Sequence, residues 1–340
     1  MVSQISSQLD GSIVSGSDAK ASFSDIQAAY DAGLPLFSKD ALRAMGAQPQ
    51  QYRDGTQDKT TLRAIGVDGH EMDYIADAAD RKHIRISYES IQALTTGDGL
   101  WEGVLSNQKF FAAAFAHITE YTGQDSSQED LDVATVAERA RINEMPTTGL
   151  YTAFMDETNK WKKTEPFMHE MRRIWDANKV ASAGVDNIVA FACGPLIWNS
   201  QIAVHSILQH ALILSLRDYL LEKGSSHVDD YPCYAQDPAY SDRDKAVLGS
   251  LGITTLEDPN GFLKADDHSI VLSFYPNVPV KQIIADLCRP AVIIWGTPMD
   301  YPCTDPDSTR VDEMLQKEYD RVDLPYDDAF HPTVMYCKKT

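Results

Sequence analysis

The chain has 340 residues, of which 43% are hydrophobic and 24% charged, a composition typical of a globular protein of about two domains. Fifty acidic residues against thirty basic ones give a formal net charge of −20. The summed field therefore repels phosphate, which excludes a generally basic nucleic-acid coat and a broad surface for anionic membranes. We expect no DNA partner and no membrane partner, although a local basic patch is still compatible with this charge.

The five cysteines are well separated and none lies in a Cys-x-x-Cys spacing. This favours reduced thiols in the cytosol over a zinc site or a disulfide framework. Residues 1–22 are rich in Ser and Gly and lack a basic segment followed by an apolar one, so they are predicted to be a disordered tail rather than a signal peptide. Without an apolar run of about 18 residues, no transmembrane helix is expected. The predicted location is cytoplasmic, with no metal and no cofactor.

Residues 23–147 are predicted to form an N-terminal α+β region. Two short helices, DIQAAYDAG and KDALRAMG, each end at a glycine. Asp68-Gly69 lies between two alternating segments and predicts a β-hairpin, to which RKHIRISYESI adds a third strand. Apolar residues at helical spacing predict a helix over 107–121, and a capping box starting at Ser126 predicts another towards Asn143.

Residues 148–340 are predicted to form a Rossmann-like domain with two leading helices over 148–179. Short apolar segments then alternate with helical ones, among them a long helix over 201–222 and a helix over 308–322. This alternation predicts an α/β fold with a mostly parallel sheet and helices on both faces. The predicted strands are NIVAFAC, YPCYAQ, ITTLE, SIVLSFY, AVIIWG and a final HPTVMYC.

In such a sheet, ligands bind beyond the carboxyl ends of the strands, near the point where the strand order reverses. The first of these strand ends, Cys193-Gly194-Pro195, has one glycine where a dinucleotide fingerprint needs three, so NAD binding is not expected. Cys193 fits either a buried thiol or a nucleophile with a lowered pKa. Ser200 fits either the N-cap of the long helix or a ligand contact. His205 and His210 lie too far apart around that helix to share a metal easily.

Three carboxylates follow the second and third strands. Asp237 is placed where a carboxylate can bind ribose hydroxyls, but Asp-Pro also simply ends strands. Glu257 and Asp258 fit either a pair in which mutual repulsion raises one pKa, as in general acid–base catalysis, or a polar turn.

The two leading helices are nearly neutral in an otherwise acidic chain. They are either a solvated amphipathic surface or the place where a nucleic-acid phosphate is bound. The basic candidates for that contact are Lys160, Lys162, Lys163, Arg172 and Arg173.

Residues from about 186 to 300 resemble the sensitivity-to-red-light-reduced (SRR-like) domain family. The resemblance lies in IVAFACGP, in QHALIL, in DPAYSDRDKAVLGSLGITTLED, and in SIVLSFYPNVP followed by AVIIWG. The chain departs from the family at three strand ends. It has Cys193-Gly194-Pro195 for Gly-x-Gly, Pro276-Asn277-Val278 for Pro-His-Cys, and Gly296-Thr297-Pro298 for Gly-Asn-Ser.

A fungal branch of this family, with a similar length and a diverged site, resembles the arginine-containing cyclodipeptide synthases. That resemblance implies a transferase that uses arginyl-tRNA and a second aminoacyl-tRNA. Asp237, Glu257 and Asp258 would bind the cationic groups, and Asn277 with amides near Gly194 would stabilise the oxyanion. Ser200 and Cys193 would be the nucleophiles to test, and Gln209, Tyr275 and Trp295 would join the substrate site. The alternatives are a non-catalytic regulatory or stress-response protein and a methyltransferase-like enzyme that binds a nucleoside at Asp237.

Overall fold

The computed structural model describes residues 23–54, 58–67, 69, 71–77, 84–96, 111–117, 133–163, 166–223, 230–297 and 303–339. Three predicted features, the tail at 1–22, Asp68 of the hairpin turn and the capping box at Ser126, lie outside these residues. The chain divides into two compact units, each made of three segments. The first unit is Met1–Glu120, Pro276–Cys288 and Pro298–Met314, and the second is Tyr121–Tyr275, Arg289–Thr297 and Leu315–Thr340.

The helices of the described residues are α1 (Phe23–Asp31), α2 (Lys39–Asp54), α3 (Ile91–Thr96), α4 (Val133–Asn143), α5 (Thr147–Lys163), α6 (Pro166–Ala177), α7 (Val204–Lys223), α8 (Asp242–Ser250), α9 (Asn260–Lys264), α10 (Val280–Leu287) and α11 (Thr309–Glu318). The strands are β1 (Lys59–Ile65), β2 (Glu71–Asp77), β3 (Ile84–Tyr88), β4 (Ala113–His117), β5 (Asn187–Phe191), β6 (Ile197–Trp198), β7 (Gln201–Ile202), β8 (Cys233–Gln236), β9 (Ile253–Thr255), β10 (Ser269–Ser273), β11 (Val292–Gly296), β12 (Tyr319–Asp323) and β13 (Thr333–Lys338). Among them, no helix is both long enough and apolar enough to cross a bilayer.

The first unit contains two separate antiparallel strand pairs. The predicted hairpin is confirmed, because β1 pairs with β2 from Lys59 opposite Asp77 to Ile65 opposite Glu71. The predicted third strand exists as β3, but its partner is β4. The helix predicted over 107–121 is therefore wrong at 113–117. In a segment this short, the apolar spacing fits a helix and a strand equally well, and pairing with β3 decides the outcome.

Helix α2 continues to Asp54, although the sequence predicts that it ends at Gly46. Its buried residues explain the continuation. Leu42, Met45 and Tyr52 are at most 5% exposed and lie three and seven residues apart, on one face of the helix. Burial of this face outweighs the poor helix propensity of Gly46 and Pro49.

The second unit contains a seven-stranded sheet in the order β12-β13-β11-β10-β5-β8-β9. The pairs formed by β5, β8, β9, β10 and β11 are parallel, whereas β13 is antiparallel to both β11 and β12. The predicted mostly parallel α/β sheet, flanked by helices, is confirmed. The strand order reverses between β5 and β10, because β8 and β9 follow β5 on one side of the sheet and β10 and β11 then follow on the other side. This position is the switch point of the sheet.

The core of this unit explains its stability. Every residue of β5, β10 and β11 is buried, as is typical of parallel strands covered on both faces. Helix α7 is buried on most of its circumference, from Ser206 to Leu216, which is the pattern of an interior helix rather than of an amphipathic one.

Two predicted boundaries in this unit are wrong. The long helix begins at Val204 instead of Gln201, because 197–202 forms the short hairpin of β6 and β7. The helix predicted to run to Val322 ends at Glu318, and Tyr319–Asp323 continues as β12 along β13.

Candidate functional site

The turn after β5 is held by a carboxylate from the neighbouring strand. Gly194 has φ +72°, a conformation that side chains disfavour, and its N–H donates to Oδ2 of Asp237 at 2.9 Å. Asp237 directly follows β8, and its Oδ1 accepts the N–H of Ala239, also at 2.9 Å. Asp237 therefore bridges the carboxyl ends of two adjacent strands, next to the switch point.

The side chain of Asp237 is half-buried. Burial raises the pKa of its carboxyl above the usual range, while the hydrogen bonds from Ala239 and Gly194 partly offset this. A carboxylate offers about four acceptor positions, of which the two amides use two. Asp237 fixes the turn and retains the capacity to accept hydrogen bonds from ligand hydroxyls. The Gly194 amide already donates to Asp237, and the oxyanion role of the amides near Gly194 stays a prediction.

A buried polar chain continues beneath this turn. Ser206 Oγ donates to the Gly194 carbonyl at 2.6 Å, and the Ser206 carbonyl lies 2.7 Å from Nδ1 of His210. A carbonyl only accepts, so Nδ1 carries the proton and Nε2 accepts from the Tyr240 hydroxyl at 2.7 Å. Burial lowers the pKa of His210 to about 4, which keeps the ring neutral at pH 7. His210 is a satisfied interior residue.

Asp244 is a second buried carboxylate near the turn. Its Oδ1 accepts the N–H of Leu196 at 3.0 Å, and its Oδ2 accepts both the N–H and the hydroxyl of Ser241. Ser241 and Asp244 form the capping box of α8. Asp244 thus couples the start of α8 to the β5 turn. Sequence reasoning missed this residue, although the Ser-x-x-Asp spacing before a helix was its signal.

The two predicted nucleophiles have different environments. Cys193 is 2% exposed, and burial with the nearby Asp237 raises the pKa of its thiol, which keeps it protonated. Ser200 lies with Asn199 in the two-residue turn between β6 and β7, both residues having positive φ. Its Oγ accepts from Asn143 Nδ2 at 2.9 Å. The N-cap interpretation of Ser200 is wrong, because α7 begins four residues later.

Glu257 and Asp258 have different partners. Glu257 is exposed and forms an ion pair with Lys245, with 2.7 Å between Oε1 and Nζ. Asp258 Oδ1 accepts from Gln236 Nε2 at 2.9 Å, and Gln236 Oε1 accepts the N–H of Gly261 at 2.6 Å. The structure brings the two carboxylates to the end of β9 but directs them to separate contacts.

An aromatic group lies on the other side of the switch point. Tyr275 follows β10 with φ +49°, and its hydroxyl donates to the Pro332 carbonyl at 2.9 Å. The ring covers Gly296 so closely that a Cβ there would lie 3.2 Å from it. The ring of His331 meets the Tyr275 ring edge-on at 5.3 Å, and the ring of His205 meets the His331 ring at 6.1 Å.

One family model matches the part of the chain that contains the seven-stranded sheet. The family model of the SRR1 domain matches residues 155–337, from within α5 to β13 and more than half of the chain. The chain belongs to the SRR1 domain family. No curated protein and no solved structure matches the chain. Among the described residues of this chain, no group of three or more His, Cys, Asp or Glu side chains is arranged to hold a metal.

Of the predicted substrate residues, Gln209 and Trp295 are buried, and Asn277 belongs to the other unit. Gln209 is buried in the SRR1 domain, and its Nε2 donates to the Ala329 carbonyl at 2.8 Å. Trp295 is 2% exposed and packs edge-on against Tyr336. Asn277 is exposed and belongs to the first unit, so its predicted oxyanion role stays a prediction. Gln209 and Trp295 contact the protein interior.

Three of the five basic candidates on α5 and α6 of the SRR1 domain are paired with carboxylates of the chain itself. The pairs, at 2.5–2.6 Å, are Lys160 with Glu157, Arg172 with Glu222, and Arg173 with Glu170. Lys162 and Lys163 are exposed near the end of α5. The positive field available to a phosphate on these helices is therefore smaller than the residue types alone imply.

Proposed function

We propose that this SRR1 domain is an aminoacyl transferase that uses arginyl-tRNA and a second aminoacyl-tRNA to make an arginine-containing cyclic dipeptide. Asp237 is the observation that carries the proposal. It lies one residue beyond β8, next to the switch point, with a fixed orientation and acceptor capacity left over. The ester of an aminoacyl-tRNA is attached to the ribose of a terminal adenosine, and ribose hydroxyls are the groups a carboxylate binds at this position.

The reaction makes modest demands on the protein. An aminoacyl ester is already activated, so the enzyme must place two acyl groups together and deprotonate the attacking amine. An acidic chain, with a net charge of −20, suits substrates that carry ammonium and guanidinium groups. The same charge opposes the tRNA backbone, so we place the phosphate contact at the exposed Lys162 and Lys163.

The test is expression of the full chain in a bacterial host and mass spectrometry of the medium for arginine-containing diketopiperazines. We expect such a product from the unaltered chain and a loss of about 100-fold or more in Asp237→Asn. Asp218→Asn, on the exposed end of α7, is the matched control and should leave the yield unchanged. Absence of any such product from soluble, cooperatively folding protein would refute the proposal.

The strand order favours a second function, the binding of a nucleoside without acyl transfer. The order β9-β8-β5-β10-β11 corresponds to 3-2-1-4-5 of doubly wound nucleotide-binding sheets, and Asp237 follows the second of these strands. S-adenosylmethionine, the nucleoside of a methyltransferase-like enzyme, is the probe. At 100 times its Kd a ligand adds about 2.7 kcal/mol to the free energy of unfolding, which a thermal scan detects readily. An unchanged Tm at millimolar ligand would exclude this function.

A further inference from the structure

Two exposed histidines meet at the switch point of the sheet. His205 lies in the first turn of α7, which follows the β5 turn, and His331 lies just before β13. Because β13 is antiparallel to β11, the segment before β13 arrives at the same edge as the carboxyl ends of the parallel strands. Their ring centres are 6.1 Å apart and both residues are exposed, so the two imidazoles are neighbours at the surface.

We propose that His205 and His331 are the proton-transfer groups of this site, an assignment that rests on the aminoacyl-transfer function proposed above. Imidazole is the side chain that most often acts as a general base at neutral pH. His210 differs from these two residues because it is buried and both of its ring nitrogens form hydrogen bonds within the protein. Of His205, His210 and His331, the two that lie together at the switch point are thus the two that are exposed, His205 and His331.

The backbone supports a functional origin for this arrangement. Tyr275 and His331 both have φ near +50°, and neither is a glycine. Such conformations are energetically unfavourable and persist where the surroundings impose them, often at functional sites. Here the Tyr275 hydroxyl holds the Pro332 carbonyl, and the Tyr275 ring holds the imidazole of His331 edge-on. Tyr275 is therefore a positioning residue for His331.

The charged and titratable groups around the pair come from the same loops. Tyr326 lies close enough to Tyr275 for each phenol to affect the ionisation of the other, and its hydroxyl donates to Asp328. That hydrogen bond raises the pKa of Tyr326, so the phenol stays protonated at neutral pH. The groups that act on Tyr326 are thus the two carboxylates of Asp327 and Asp328 and the side chain of Tyr275.

The proposed step balances without a further reactant. One imidazole takes a proton from the ammonium form of the attacking amino group. The freed amine forms a C–N bond to the ester carbonyl of the second aminoacyl group, and the C–O bond to the ribose breaks. The imidazole passes this first proton to solvent. As the amide forms, the nitrogen loses a second proton to an imidazole, and the resulting imidazolium gives it to the departing ribose oxygen, which leaves as a hydroxyl. A second round with the remaining ester closes the ring, so that two esters and two amines become two amides and two alcohols.

The test uses the full chain with His205→Gln and His331→Asn, singly and together. Asparagine is chosen at 331 because it tolerates positive φ better than most other non-glycine residues do. We expect kcat to fall by about 100-fold or more in the double variant, with KM within about threefold, because general acid–base catalysis contributes roughly 10²–10⁴. The pH profile of kcat should also differ from that of the unaltered chain. His268→Gln, at the amino end of β10, is the matched control and should keep the kcat and the pH profile of the unaltered chain.

A second measurement does not depend on turnover. In protein labelled at its nine histidines, a non-hydrolysable arginyl-adenosine amide should shift the imidazole NMR signals of His205 and His331 and leave that of His268 in place. An active chain whose double variant keeps its kcat and pH profile, or whose two imidazole signals ignore the ligand, would overturn this assignment while leaving the proposed function intact. An unaltered chain that makes no cyclic dipeptide would instead refute the proposed function. The experiment therefore distinguishes failure of the histidine assignment from failure of the proposed function.

Discussion

Two replacements of Asp237 distinguish its role as a hydrogen-bond acceptor from the effect of its buried charge. In Asp237→Ala, the N–H groups of Gly194 and Ala239 both lose their acceptor. Leaving a buried donor unpaired costs about 1–3 kcal/mol. Burial of the carboxyl is itself unfavourable, so its removal offsets part of this loss of stability. We therefore expect the free energy of unfolding to fall by about 2–3 kcal/mol. Asp237→Asn keeps one carbonyl acceptor and removes the buried charge, so it should cost about 1 kcal/mol or less at pH 7.

The pH dependence gives an independent check on the same residue. Because the pKa of Asp237 is raised in the folded state, the folded chain holds this proton more tightly than the unfolded chain does. The stability that protonation contributes is complete below the usual aspartate pKa and is lost as the pH rises through the raised value. Urea unfolding followed by tryptophan fluorescence, in series from pH 4 to 8, should therefore show that the unaltered chain gains stability relative to Asp237→Asn as the pH falls. The reasoning is refuted if Asp237→Ala is as stable as the unaltered chain, or if the Asn and Ala variants lose equally.

Three further predictions concern other parts of the molecule. Burial raises the pKa of Glu89 to about 7. Its carboxyl therefore costs no stability below about pH 4.5 and lowers the free energy of unfolding increasingly up to about pH 7. Glu89→Gln should remove this pH dependence and raise the free energy of unfolding by roughly 2–3 kcal/mol at pH 8, as measured by urea unfolding. A Cβ at Gly261 would lie 2.9 Å from the Phe191 ring, so Gly261→Ala should lower stability by about 1–3 kcal/mol, and a Tm equal to that of the unaltered chain would contradict this packing. The double change of Lys162 and Lys163 to Glu should weaken binding of arginyl-tRNA in a filter assay, more at low salt than at high salt, and an unchanged affinity would clear these residues of a phosphate contact.

The parts of the fold that the sequence predicts correctly depend on local chemistry. Asp68-Gly69 and its alternating flanks predict the β1–β2 hairpin, and apolar segments alternating with helices predict the parallel sheet of β5, β8, β9, β10 and β11. The errors arise where partners distant in sequence decide the structure. The segment 113–117 becomes a strand because β3 pairs with it, and 319–323 becomes a strand because β13 does.

The candidate site shows the same division. The position of Asp237 at a strand end follows from the order of elements, but its bond to the Gly194 amide requires the spatial neighbours β5 and β8. His331 was missed because nothing local indicates that β13 runs antiparallel to β11, which is what brings the preceding loop to this edge. Ring contacts across 126 positions, between His205 and His331, have no signature in a single sequence.

The placement of β13 also has a consequence for how the sheet assembles. β12 comes before β13 along the polypeptide, yet among the described strands it pairs with β13 alone, and β13 separates it from β11. During folding, β12 therefore joins the sheet only once β13 has docked against β11. Until β13 docks, the edge of β11 that it covers has unpaired N–H and C=O groups, and unpaired strand edges of this kind favour association with other chains.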